Sequence, residues 1–294
     1  MPKDLRSAVL IAGPTASGKS ALALALARER GGMIINADSM QVYRELHVLT
    51  ARPTAEDESQ VPHRLYGHVA ADDAYSVSRW LSDVEAAVAE AEHLHLCPII
   101  VGGTGLYFKA LTEGLSPVPP VPADVRAHWR SAAERDPTGL HEILQRRDPA
   151  MASRLSPGDA QRITRALEVI DATGVSLAQW QSRPGRPLVA IDRCERMLVM
   201  RPRQDLHRRC DQRFDAMMAA GALEEVRALL QLGLPSELPA MRALGVSALA
   251  AHLAGDVSLD EAVARAKTET RRYVKRQETW ARKFMSGWRV VFLD

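Results

Sequence analysis

The stretch GPTASGKS, Gly13–Ser20, stands between the apolar run AVLIA and the helix-forming segment ALALALARER. Its spacing, G-x-x-x-x-G-K-[ST], is that of a phosphate-binding loop. Glycines let backbone N–H groups converge on an anion at a helix N-terminus, where the macrodipole also favours negative charge. Lys19 adds a point charge, and the Ser20 hydroxyl is a ligand for Mg²⁺. Gly13, Thr15, Ala16, Ser17, Gly18, Lys19 and Ser20 are therefore candidate phosphate-binding residues. A strand before the loop and a helix from about Lys19 to Arg30 supply its context. The open question is whether the phosphate held here is transferred or discarded.

Outward from the loop, β-like and helix-like segments alternate. MIINAD, RLYGHV and PIIVGG have strand character, and YSVSRWLSDVEAAVAEAEHL carries Trp80, Leu81, Val84, Ala87, Val88 and Ala91 at helical spacing. Such alternation predicts an α/β fold, a parallel sheet flanked by helices. GLSPVPPVPAD interrupts it, because four prolines in a few residues cannot continue a helix. From Pro122 to Gly185 short helices follow one another without a convincing strand. The expected division is a phosphate-loop core domain over 1–117 and 190–294, with a helical insertion domain over 118–189. RMLVM returns to the sheet, long helical segments follow, and VVFL can add a last strand.

Composition narrows the class. With 294 residues, 46% hydrophobic and 25% charged, the chain is that of a globular protein with a sizeable core. A net charge of +2 does not mark a nucleic-acid binder by itself, but it permits a local basic patch. No apolar stretch is long enough for a membrane span, so no membrane partner is expected. Cys97, Cys194 and Cys210 are scattered and odd in number, which argues against a disulfide framework or zinc site and for a reducing cytoplasm.

A phosphate loop alone leaves the reaction undefined, since the same cradle holds any diphosphate or triphosphate. A Walker-B strand would end in an acid, yet PIIVGGTG ends in glycines and Thr104. An acid does follow the other strand, in NADSMQVY, where Asp38 is either a turn cap or a working carboxylate. Thr104 is either a helix cap or a residue at the site. Three readings stand on these residues: a transferase that discards the phosphate, a small-molecule or nucleotide kinase, and a non-catalytic RNA-binding module.

Several separated motifs then agree: GPTASGKS, ADSMQVYR, VGGTGLYFKALTEGLSP, DAQRITRALEV, MRALG and KRQETWAR. Together, in this order and over nearly the whole chain, they resemble the tRNA dimethylallyltransferase (tRNA isopentenyltransferase) family. The resemblance implies transfer of a dimethylallyl group from dimethylallyl diphosphate to N6 of the adenosine just 3′ of the tRNA anticodon, with Mg²⁺ and without ATP. On it, Asp38 is the general base, Thr104 lies beside the reacting atoms, and Arg213 is a second diphosphate-binding cation. Asp38, Ser39, Met40, Gln41 and Thr104 would meet the target base. Arg126, Gln161, Arg162, Arg165, Arg242, Lys275 and Arg276 would contact the rest of the tRNA. The C-terminal segment from Lys267 to Arg289, basic with Tyr273, Trp280 and Trp288 interleaved, suits phosphates and stacked bases. A monomer is expected. The chain departs from the family pattern at LHVLTARP, over His47–Arg52, and at ALGVSAL, over Val246–Leu249.

Overall fold

The computed structural model describes residues 8–293. Its strands are β1 (Val9–Ala12), β2 (Gly32–Asn36), β3 (His63–Arg64), β4 (Cys97–Gly102), β5 (Glu195–Met200) and β6 (Arg289–Phe292). They form one sheet of order β3-β2-β4-β1-β5-β6, and every pairing in it is parallel. The apolar run before the glycine loop is thus a central strand, buried along its whole length, as a strand covered on both faces must be.

Alternation along the strands sorts their side chains onto two layers. Val9, Ile11, Ile34, Ile99, Val101 and Val199 pack with Ala23 and Ala27 of α1 (Lys19–Arg30). Leu10, Met33, Ile35, Ile100 and Leu198 join a larger core on the opposite face. There they meet Trp80, Val84 and Val88 of α3 (Val77–His93) and the C-terminal helices; α2 (Ala55–Gln60) lies between β2 and β3 in the chain. The C-terminal helices are α10 (Arg203–Ala219), α11 (Ala222–Gln231), α12 (Val246–Leu253) and α13 (Leu259–Phe284). The first-third alternation and the terminal strand expected from the sequence are present. RLYGHV contributes less than its pattern suggests, because Leu65 and Gly67 adopt left-handed φ values of 65° and 55° and end β3 after two residues.

The chain divides into two compact units, Met1–Thr112 with Leu188–Asp294, and Glu113–Pro187. The second unit is helical, with α5 (Ala123–Arg135), α6 (Leu140–Arg147), α7 (Pro149–Ala152), α8 (Ala160–Thr173) and α9 (Leu177–Gln181); α4 (Gly105–Glu113) precedes it. It has its own core around Trp129, Leu140, Leu144, Ile163 and Leu167. In the sheet unit the carboxyl ends of β1, β4 and β2 are neighbours. The loops leaving them therefore meet, at the edge where parallel α/β sheets place their ligands.

Candidate active site

The first of these loops is the glycine-rich one. Ala16 and Gly18 stand in the left-handed region, at φ 63° and 96°, a conformation costing an alanine about 1–2 kcal/mol. Remote side chains hold it there. Arg201 Nε donates to the Ser17 carbonyl at 3.0 Å and Arg209 Nε to the Ala16 carbonyl at 2.9 Å. The Arg213 guanidinium donates to the Thr15 hydroxyl. The Thr15 N–H donates to Oε1 of Gln277 at 2.9 Å. The buried Ser17 hydroxyl has no hydrogen-bond partner among the described residues.

Beside the loop opens a cleft of about 430 Å³, lined by Ala16, Gly18, Lys19, Ser20, Ala21, Ala51, Arg209, Gln212 and Arg213. Its wall carries three cations and no carboxylate, so it is built for an anion. Burial pushes the Lys19 amine down to about 8, with the Asp38 carboxylate opposing the shift and Arg213 adding to it. Burial also lowers the Arg213 guanidinium, which stays charged nonetheless. Asp38 thus lies close enough to act electrostatically on both cations.

The loop after β2 carries that acid. The Asp38 N–H donates to Asn36 Oδ1 at 2.8 Å, and Asn36 Nδ2 donates to the Asp38 carbonyl at 2.9 Å. The Trp80 indole N–H in turn donates to the Asn36 carbonyl. The two readings of Asp38 prove compatible. Its Oδ1 accepts the Met40 N–H at 2.9 Å, which is the turn cap. Its Oδ2 faces Gly103, where an added Cβ would lie 3.4 Å from it.

The loop after β4 supplies the opposite wall. Thr104 Oγ1 accepts the Ser39 N–H at 2.9 Å, so the loops after β2 and β4 are tied together. A Cβ at Gly102 would come within 2.1 Å of the Ala37 backbone. This contact explains the missing Walker-B acid, since no side chain fits at the end of β4. Of the remaining base-facing candidates, Met40 packs against the core. Gln41 directs its amide to the Thr50 and Ala51 carbonyls at 2.8 and 2.9 Å, shaping the cleft wall.

The family model of the IPP transferases matches residues 41–284, and that of the isopentenyl transferases matches residues 6–71. The chain belongs to the IPP transferase family. It is 55% identical to the tRNA dimethylallyltransferase of Chelativorans sp. (strain BNC1), over 95% of this chain and 96% of that one. The crystal structure of the full-length tRNA isopentenylpyrophosphate transferase from Bacillus halodurans superposes with a TM-score of 0.70 at 30% identity, covering 98% of this chain and 91% of that one. A eukaryotic dimethylallyltransferase, captured in crystallographic snapshots acting on tRNA, matches with a TM-score of 0.83 at 25% identity, covering 98% of this chain and 74% of that one.

Within this IPP transferase fold the candidate tRNA residues fall in two groups. Arg126, Gln161, Arg162 and Arg165 are exposed on the helical unit, where Arg162 pairs with Asp159 and Arg165 with Glu168. Arg242, Lys275 and Arg276 are exposed on the sheet unit. The C-terminal segment is less uniformly available than its composition suggests. Lys267, Arg271 and Arg289 pair with Asp215, Asp211 and Glu195, and Trp288 is buried edge-on against Phe108.

Both departures from the family pattern have structural partners. The N–H groups of His47, Val48 and Leu49 all donate to the Glu225 carboxylate on α11, at 2.7 to 2.9 Å. Val246, Ala248 and Leu249 bury themselves in the main core as the first turn of α12.

The Lys19 shift has a signed consequence. A lysine whose folded value lies below its unfolded one is penalised while charged, fully below pH 8 and progressively less as pH approaches 10.5. An anion in the cleft reverses that penalty by favouring the ammonium. Diphosphate affinity is therefore expected to fall as pH rises above 8, by up to about tenfold per pH unit, and Lys19→Ala should flatten the profile. Titration calorimetry from pH 7 to 10 checks this. An equally steep decline in Lys19→Ala would show that another group is responsible.

Proposed function

We propose that this chain transfers a dimethylallyl group from dimethylallyl diphosphate to N6 of the adenosine just 3′ of the tRNA anticodon, releasing diphosphate. One observation carries the reading. A cationic phosphate cleft stands beside a carboxylate whose Oδ2 faces Gly103 at the end of β4, and the strand that would bear a Walker-B acid has no room for one. The cleft then holds a leaving group and the carboxylate takes a proton.

The Gly13–Ser20 loop, Lys19 and Arg213 bind the diphosphate and stabilise the negative charge that accumulates on it as the allylic C–O bond breaks. The electron pair of that bond leaves with the diphosphate, and the N6 lone pair forms the new C–N bond. Alkylation acidifies the amine, and Asp38 Oδ2 accepts its proton. Thr104 holds the Asp38–Ser39 turn against the end of β4. The adenine must leave its stack to reach these atoms. The exposed cations Arg126, Arg162, Arg165, Arg242, Lys275 and Arg276, with Gln161, are assigned to the rest of the tRNA, and residues 118–189 to an inserted tRNA-binding domain.

The donor set fits a magnesium ion. Ser20 is an exposed hydroxyl on the cleft wall, and no group of three His, Cys, Asp or Glu suited to a metal occurs among the described residues. Ser20 would be its protein ligand, with diphosphate oxygens and the waters that magnesium gives up reluctantly completing the shell. When bound it supplies charge neutralisation to the departing diphosphate.

Unmodified tRNA incubated with labelled dimethylallyl diphosphate and Mg²⁺, without ATP, is expected to yield N6-(dimethylallyl)adenosine on nucleoside analysis. Strict ATP dependence with ADP as product would replace this reading with a kinase. Binding of tRNA without label transfer would replace it with an RNA-binding module.

A further inference from the structure

The buried stripe of α13 contains three polar residues where apolar ones are the rule, of which Thr270 is satisfied within the helix by the Ala266 carbonyl. Val274, Gln277, Glu278 and Ala281 recur at helical spacing and are all buried. Glu278 is accounted for by Arg203, whose guanidinium donates to its carboxylate at 2.8 and 3.1 Å. Gln277 has a different set of partners. Its Oε1 accepts the Thr15 N–H of the phosphate loop, and its Nε2 donates to the Gly103 carbonyl at the end of β4, both at 2.9 Å.

We infer that Gln277 is a positioning residue that sets the phosphate loop in register with the Asp38 side of the site. This rests on the dimethylallyl-transfer reading. The two wings of the site come from strands far apart in the chain, and each must be placed to a fraction of an ångström for in-line attack. Gln277 spans them with one amide. The Thr15 N–H it engages belongs to the loop that cradles diphosphate, and the same Thr15 carries the hydroxyl that Arg213 grips. The Gly103 carbonyl it engages precedes Thr104. A Cβ at Gly103 would meet Gln277 Nε2 at 2.4 Å and Asp38 Oδ2 at 3.4 Å, so amide and base flank the same backbone atom. Only a side chain with both a donor and an acceptor, and of glutamine's length, satisfies the two partners.

Gln277→Met keeps the volume and removes both hydrogen bonds. Gln277→Asn keeps the amide but is one methylene too short to span the gap. Each is compared with wild type in three measurements: titration of inorganic diphosphate into the free protein, kcat and donor KM at saturating tRNA, and affinity for an anticodon stem-loop. Loss of two buried hydrogen bonds should raise the diphosphate dissociation constant and the donor KM about five- to tenfold and lower kcat about tenfold. Stem-loop affinity should stay within about twofold, at a temperature where melting curves show every variant folded. A lowered melting temperature with normal diphosphate affinity and normal donor KM would reduce Gln277 to packing and overturn the inference. So would lost stem-loop affinity with diphosphate binding intact. Should Gln277→Met not fold, Gln277→Asn carries the test alone, and a wild-type donor KM in that variant refutes the spanning geometry. A wild-type protein that binds diphosphate without transferring dimethylallyl would instead defeat the functional reading, and the diphosphate titration still judges Gln277.

Discussion

Asp38→Asn is expected to lower kcat by ~10²–10⁴-fold, the usual value of a positioned general base. The substitution keeps the side chain's shape. Its Oδ1 can still accept the Met40 N–H that fixes the turn, so the loop after β2 should hold its course and Ser39 its bond to Thr104. What disappears is the capacity to take a proton at Oδ2. An adenine amino group is weakly nucleophilic because its lone pair is delocalised into the ring, and the alkylated nitrogen must shed a proton to complete the reaction. The deficit therefore falls in the transition state and not in the bound complex. Donor and tRNA dissociation constants should change little. Single-turnover rates with both substrates saturating, alongside separate binding titrations, check the claim. A near-normal single-turnover rate refutes proton abstraction by Asp38, while a normal rate with ruined tRNA affinity reassigns it to recognition.

The sequence made the architecture legible where local pattern and tertiary burial agree. AVLIA, MIINAD, PIIVGG and RMLVM each read as strands and each became one, because a parallel sheet covered on both faces demands continuous apolar runs. GPTASGKS announced its own geometry through its glycines. Contacts that depend on long-range pairing were a different matter. Arg201 and Arg209 steady the phosphate loop through its carbonyls from β5's exit and α10, and no local motif marks them. Glu225 gathers three N–H groups across 176 to 178 residues of chain. At KRQETWAR the basic residues Lys275, Arg276 and Arg282 are exposed, as their charge suggests, but two polar residues between them are buried. The informative positions were Gln277 and Glu278, polar residues on the apolar stripe with Val274 and Ala281. A buried polar group needs a partner, so that phase was the available signal.

Lys19→Ala should lower kcat/KM for dimethylallyl diphosphate by ~10²–10³-fold, the range seen when one charge-stabilising donor is removed from a developing anion. The ammonium sits in the cleft wall with Arg209 and Arg213. On the proposed reaction it would interact with ground-state diphosphate and more strongly with the extra negative charge acquired as the C–O bond stretches. Both KM and kcat should therefore suffer, in contrast to Asp38→Asn. Arg213→Ala is expected to do less damage to kcat and more to the loop, because its guanidinium also holds the Thr15 hydroxyl. Fold stability gives the control. Burial disfavours the charged amine, pushing it down to about 8, so at neutral pH the empty site keeps Lys19 charged against an energetic penalty. Removing it should leave the melting temperature unchanged or raise it. Donor kinetics, diphosphate titration and melting curves on the two variants decide the matter. A Lys19→Ala protein with lowered stability and intact donor kinetics would place the amine in the fold and not in the reaction. Lost tRNA affinity with unaltered diphosphate binding would move the whole cationic cleft to the other substrate.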